Sequence, residues 1–121
     1  MNGAELTKDW IQLAPGVRRK TTAVGEKMMQ VIVWFEKGAK VPEHAHVHEQ
    51  IASVIAGKMR FVVAGEVRDV AEESVMLKSN VPHSAEALEE SWILDTFSPP
   101  REDMLKADAE HAAKSKTGGS R

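Results

Sequence analysis

Three of the chain's five histidines fall within five residues, at His44, His46 and His48, and Gln50 continues the same alternation. In an extended strand, side chains two apart share a face, so His44 and His46 point the same way. Two imidazoles that close can hold one metal ion at ~2.0–2.1 Å per nitrogen. Imidazole donors suit Zn, Ni, Fe, Cu and, with oxygen donors, Mn. The alternative is a pair of solvent-facing or internally satisfied histidines. Two features favour a metal. Pro42 and Gly57 bracket the cluster as turn residues should, and His83 follows a strand within KSNVPHSA, where Pro82 holds the preceding backbone extended.

A carboxylate is the second candidate. Asp95 interrupts the apolar run WILDTFS. By alternation it shares a face with Ile93 and Phe97, while Trp92, Leu94 and Thr96 point the other way. On an interior face Asp95 is a buried carboxyl able to transfer a proton; on the outside of an edge strand it is inert. Burial would raise its pKa and a neighbouring cation would lower it. Arg60 alternates with Met59 and Phe61 on a strand. It is a candidate for reaching a pocket mouth and binding an anion, against the alternative of an outward, solvated side chain.

The elements that must position these residues are mostly strands. Residues 28–35 (MMQVIVWF) are rich in β-branched and aromatic types and read as a strand buried on at least one face. Residues 36–44 (EKGAKVPEH) read as a turn region. Strands follow at 51–55, 59–64, 67–70, 75–77 and 92–97, with turns at Gly57-Lys58 and Gly65-Glu66. About seven short strands at spacings near ten indicate an all-β sandwich or barrel. No βαβ alternation is present. Residues 101–114 lack Gly and Pro, follow Pro100 and place Glu102 and Asp103 in a first turn, so they read as a short C-terminal helix. The expected division is a lead-in at 1–16 anchored by Trp10, Ile11 and Leu13, a barrel at 17–100, the helix, and a disordered tail at 115–121. Met28, Met29, Met59 and Met76 are expected to fill the core. Glu86, Glu89 and Glu90 are expected in a solvated loop, and His111 exposed on the helix.

The bulk composition narrows the partners. The chain has 121 residues, which fits one domain. Sixteen Lys and Arg against eighteen Asp and Glu give a net charge of -2, so no nucleic-acid or membrane partner is expected. Cysteine is absent, which excludes disulfides, thiolate metal sites and Cys nucleophiles and suits a cytoplasmic location. No apolar run approaches the ~18–20 residues of a spanning helix. The polar N-terminus MNGAELTKDW does not read as a secretory signal.

The histidine segment resembles the cupins. Their first motif is Gly, five residues, His-x-His, three or four residues, Glu, six residues, Gly. Gly38, His44, His46, Gln50 and Gly57 stand at those spacings, with Gln in place of Glu. Their second motif places a third His after a Pro-x-Gly-type turn. Here His83 is kept, while Lys78 and Asn80 replace Pro and Gly, and Asn still tolerates a left-handed turn. The resemblance covers residues 17–98. It implies an antiparallel jelly-roll barrel holding one divalent transition metal (Zn, Ni, Fe, Mn or Cu) on His44, His46, Gln50 and His83. Three neutral imidazoles and an amide leave the ion's double charge nearly intact, which favours anionic substrates and developing oxyanions. The alternative is a lost ligand, with an apo-barrel or a three-His site. His48 is expected at the rim or bracing a ligand, with a direct ligand role as the alternative, and Glu49 outward or bracing a histidine.

The string Asp95-x-Phe97-x-Pro99-x-Arg101-Glu102-Asp103, with His-x-His-x-His-Glu-Gln, is similar to the pectin-degradation subgroup of cupins. That resemblance implies ring opening of 4,5-unsaturated uronate monosaccharides to the linear keto sugar acid. Asp95 and Arg101 would be catalytic, and Phe97 would contact the sugar. It also implies a small anionic sugar as partner and, as in other small cupins, a homodimer. The competing functions are a quercetinase-like metal-dependent dioxygenase, against which the neutral Gln50 counts, and a non-enzymatic small-ligand-binding module.

Overall fold

The computed structural model describes residues 2–119, with side chains through residue 115. A short helix α1 (Gly3–Leu6) precedes ten strands among the described residues. These are β1 (Ile11–Ala14), β2 (Val17–Val24), β3 (Met29–Phe35), β4 (Lys40–His44), β5 (Glu49–Ala56), β6 (Met59–Val63), β7 (Glu66–Val70), β8 (Ser74–Leu77), β9 (His83–Ala87) and β10 (Ser91–Ser98). Helix α2 (Glu102–Gly119) closes the chain. Every strand pairing is antiparallel, in a six-stranded sheet ordered β1-β2-β3-β10-β5-β8 and a four-stranded sheet ordered β4-β9-β6-β7. This is the antiparallel jelly roll with a C-terminal helix that the sequence implies.

The core follows from period-two alternation. Met29, Val31, Val33 and Phe35 on β3, Ala52 and Val54 on β5, Met59, Phe61 and Val63 on β6, and Ile93 and Phe97 on β10 form one buried cluster between the sheets. Trp34 lies on the opposite face of β3 yet is also buried, because α1 lies against it and its Nε1 donates to Glu90 Oε2 at 2.7 Å. Of the methionines expected inside, Met29 and Met59 are buried. Met28 and Met76 are exposed, since Met28 precedes β3 and Met76 takes the outer parity of β8.

Several boundaries differ from the sequence reading. Residues 40–44 pair as β4 inside the supposed turn region, and β2 and β9 form from polar or small-residue runs whose partners supply the ladder. Glu86 therefore sits on β9 and pairs with Lys40 and Arg60; only Glu89 and Glu90 lie between the last strands. The β6–β7 turn is Ala64-Gly65, both at positive φ, the geometry that matches the twist of a two-residue hairpin. Helix α2 runs past 114 to Gly119, so the expected disordered tail begins as helix. Ser115 and Thr117 are only mildly unfavourable in a helix and Lys116 is a good helix former, so the backbone ladder continues at little loss. Residues 120 and 121 lie outside the described residues. His111 is half-buried, its Nε2 2.7 Å from Asp9 O.

Gly57, between β5 and β6, has φ +94, and a Cβ built there overlaps Glu90 O and Ser91 Oγ. Gly57→Ala is expected to lower stability by about 2 kcal/mol or more, read as a lower denaturation midpoint in urea at unchanged slope.

No helix among the described residues is long and apolar enough to cross a membrane.

Candidate metal centre

His44 ends β4, and its orientation depends on a bulge. Val41 pairs with Ala85 but His44 pairs with His83, so β4 holds one extra residue over that interval. Without it, Val41 and His44 would face opposite sides. With it, both line the same cavity. Pro42 sits inside the bulge, where a missing N–H breaks no ladder bond. His46 lies just beyond β4, in a loop braced from the 78–81 turn. Asn80 N donates to His46 O at 2.8 Å and Ser79 Oγ to Val47 O at 2.5 Å, with Asn80 in the left-handed conformation at φ 63. His83 opens β9, and Gln50 points inward from β5.

Ligand atoms of His44, His46 and His83 lie within 4.8 Å of one another. Two nitrogens sharing an ion at ~2.1 Å stand ~3–4 Å apart, so small side-chain rotations complete the convergence. Each imidazole commits Nδ1 to a backbone carbonyl: His44 to Pro42 O at 2.9 Å, His46 to His48 O at 2.9 Å, and His83 to Val81 O at 3.0 Å. A carbonyl only accepts, so Nδ1 carries the proton and Nε2 presents its lone pair. Burial, reinforced at both rings by the positive charge of Arg101, holds the pKa of His46 and His83 below the ordinary value and keeps them neutral.

Two observations test whether a metal fits. His83 Nε2 is buried with no hydrogen-bond partner. His46 Nε2 lies 3.1 Å from Gln50 Oε1, while Gln50 Nε2 donates to Asp95 Oδ1 at 2.9 Å and so fixes which way the amide faces. Two acceptors therefore confront each other, and a third is orphaned nearby. Lone pairs converge this way when a cation lies among them, so the donor set fits a divalent ion held by three imidazoles and one amide oxygen.

The centre opens into a cavity of about 300 Å³. Asp95, Phe97 and Arg101 line it together with His44, Gln50 and His83. Asp95 shares the inward face of β10 with Ile93 and Phe97, between Val31 and Ala52 of the flanking strands. Burial pushes its carboxyl up to about 7, against the Gln50 amide and the Arg101 charge, which favour the ionised form. Arg101 immediately precedes α2. Its guanidinium lies 5.1 Å from the centre of the Phe97 ring and grips Asp103 through Nε at 3.2 Å and Nη2 at 2.8 Å. That contact holds the Asp103 carboxyl below its ordinary pKa.

Arg60 is not part of this assembly. On β6 it alternates with the buried Met59 and Phe61, so it points outward, where Nε and Nη2 grip Asp69 Oδ1 and Oδ2 at 2.8 and 3.0 Å. Period two rules it out of the pocket. Arg60→Ala should leave metal content unchanged and turnover within about twofold of the parent, as measured by elemental analysis and initial rates.

His48 braces His46, one of the roles expected of it, but through its backbone carbonyl oxygen and not its ring. Sequence reasoning missed Val41, Leu77 and Met104 on the cavity wall. Met104 had a signal, being one of two adjacent apolar residues, with Leu105, in the first turn of a largely polar helix. Neither Trp34 nor Trp92 lines this cavity; Trp92 packs edge-on against Trp10 at 5.9 Å.

Comparisons with known proteins agree with this fold. The cupin domain family model matches residues 31–94. A pectin degradation protein, KdgF, of Dickeya dadantii is 40% identical over 99 residues, spanning 79% of this chain and 90% of that protein. The solved structure of KdgF from Halomonas sp. superposes with a TM-score of 0.75 at 36% identity, covering 78% of this chain and 89% of that one. An RmlC-like cupin from Shewanella frigidimarina also superposes at 0.75, with 30% identity over 86% of this chain and 94% of that one.

Proposed function

The chain belongs to the cupin domain family, and from that premise we propose that it opens the ring of 4,5-unsaturated uronate monosaccharides to the linear keto acid. The observation that carries the reading is that His44, Gln50, His83, the Asp95 carboxyl and the Arg101 guanidinium line one cavity, with His46 clustered beside the other two imidazoles. The similarity to a pectin degradation protein supports the substrate class.

His44, His46, His83 and the Gln50 oxygen would hold one divalent transition ion. When bound, such an ion supplies Lewis acidity toward an oxygen that gains negative charge. Arg101 keeps Nη1 for the sugar carboxylate, since Nε and Nη2 are engaged by Asp103. Phe97 offers an apolar wall to the ring. Opening removes the proton of the anomeric hydroxyl, makes C1–O1 a carbonyl and breaks C1–O5, with the electron pair passing to O5. The enolate then takes a proton at C4. Nothing is gained or lost, so one carboxyl can take the first proton and return it. Burial raises the Asp95 carboxyl's pKa, while the Gln50 amide, the Arg101 charge and a bound cation would favour the ionised form that takes the first proton.

The test follows the ultraviolet absorbance of a 4,5-unsaturated galacturonate. Metal-loaded protein should accelerate its decay well above the protein-free rate, and a chelator should remove the acceleration. Equal decay with and without protein rejects the reading.

We further propose a homodimer through the outer face of the six-stranded sheet. Ile51 and Met76 are exposed cross-strand partners there, with Ile55 beside them. The outward positions of β5, β8 and β10 from Ile51 onward in β5 (Ser53, Ser74, Leu94, Thr96) carry no charge. A second copy matches such a face by two-fold symmetry. Sedimentation should give twice the chain mass, and Ile51→Lys should halve it.

A further inference from the structure

Arg101 stands at the entry to α2, so its position over the cavity depends on where that helix lies. Besides the core packing of Met104 and the His111–Asp9 contact, the helix is tied by Arg19 of β2, a charged side chain only 1% exposed. Its Nη1 donates to Asp108 Oδ1 at 2.8 Å and to Thr21 Oγ1 at 3.2 Å, and its Nη2 donates to Met104 O at 3.1 Å. Thr21 Oγ1 in turn donates to Asp108 Oδ2 at 2.6 Å. One guanidinium thus grips the helix at Met104 and Asp108, about one turn apart. The same stretch leads back to Arg101: Leu105 N donates to Arg101 O at 3.0 Å, and Arg101 N contacts Met29 Sδ at 3.0 Å.

A buried ion pair is a weak source of stability, because well-packed apolar residues usually serve as well. What this one does supply is a fixed direction for the first turns of α2. We infer that Arg19, acting through Asp108 and Thr21, is a positioning residue that holds the Arg101 guanidinium over the cavity. The inference rests on the reading above, in which Arg101 binds the substrate carboxylate. Releasing the tie lets the helix start shift, and a ~1 Å misplacement of a group that positions substrate can cost as much as a hundredfold in catalysis.

The experiment compares four metal-loaded proteins on a 4,5-unsaturated galacturonate: the parent, Asp108→Asn, Arg101→Ala and the double variant. Asp108→Asn keeps an acceptor for Arg19 but drops the charge and cannot accept from Thr21 through its amide nitrogen. It should raise KM about tenfold, with kcat within about twofold and metal content unchanged. In the Arg101→Ala background the same change should move KM less than about twofold, because the contact it positions is already gone. The same factor in both backgrounds marks a merely structural role and overturns the inference. So does no effect beside an intact Arg101. Should Arg101→Ala itself keep the parent KM, the reading of Arg101 fails and the inference falls with it. If Asp108→Asn does not fold, Thr21→Val removes one of the bonds to Asp108 and carries the same comparison.

Discussion

His44→Ala should purify with less than about a tenth of the parent's metal and lose at least a hundredfold in turnover. His44 is half-exposed at the end of β4, so its removal opens no large internal void and the barrel should persist. What it removes is one of three imidazoles whose ligand atoms lie within 4.8 Å of one another. Its Nδ1 contact to Pro42 O, held by the bulge, also disappears. Metal binding stabilises the folded state by mass action, roughly 2.7 kcal/mol at a metal concentration 100 times Kd. Adding metal should therefore raise the parent's melting temperature and leave that of His44→Ala unmoved. Elemental analysis and paired thermal scans read both effects. A variant that keeps full metal occupancy would show that His44 is not a ligand.

Asp95→Asn separates proton transfer from metal binding. Metal content should stay at the parent level, because Asp95 meets the centre only through the Gln50 amide. Turnover should fall ~10²–10⁴-fold, the range that a positioned acid or base contributes, with KM changed by no more than a few-fold. A variant that turns over normally would remove Asp95 from the chemistry. The carboxyl also leaves a mark on stability in the metal-free protein. Its folded pKa is raised from 3.8 to about 7 by burial. Between those values the folded state keeps a proton that the unfolded chain has released. Stability attributable to Asp95 is therefore complete below the unfolded pKa and declines as pH rises through the folded one. Asparagine has no such decline. Metal-free Asp95→Asn should gain melting temperature relative to metal-free parent between pH 5 and pH 8; a constant difference across that range would contradict the raised pKa.

The shared face of His44 and His46 was legible because alternation in an extended strand is a property of the chain; the resemblance to cupins added Gln50 and the ligand role of His83, and the fold brings the ligand atoms of His44, His46 and His83 within 4.8 Å. The strongly apolar strands, β3, β6 and β10, were legible for the same reason: burial imposes a period of two. Strands β2, β4 and β9 were not, because their residues are polar, small or proline-containing and take strand geometry from the neighbours they pair with. Alternation on β10 placed Asp95 with Ile93 and Phe97, but which face was inward was decided by the sheets that enclose it.

Other features had no local signal at all. The bulge that turns His44 toward the cavity is an offset between two strands, and it exists only once β4 meets β9. The carbonyls of Pro42, His48 and Val81 that orient the three imidazoles are backbone groups, common to every residue and informative only in position. Arg60 and Arg101 are the same residue type, yet one is turned outward onto Asp69 and the other stands on the cavity beside Phe97. The amino-acid sequence by itself determined the donor chemistry and the strand rhythm, since both depend on side-chain type and interval. Which side chains meet was left to the tertiary structure, because register, bulge and helix placement arise from contacts between segments far apart along the chain.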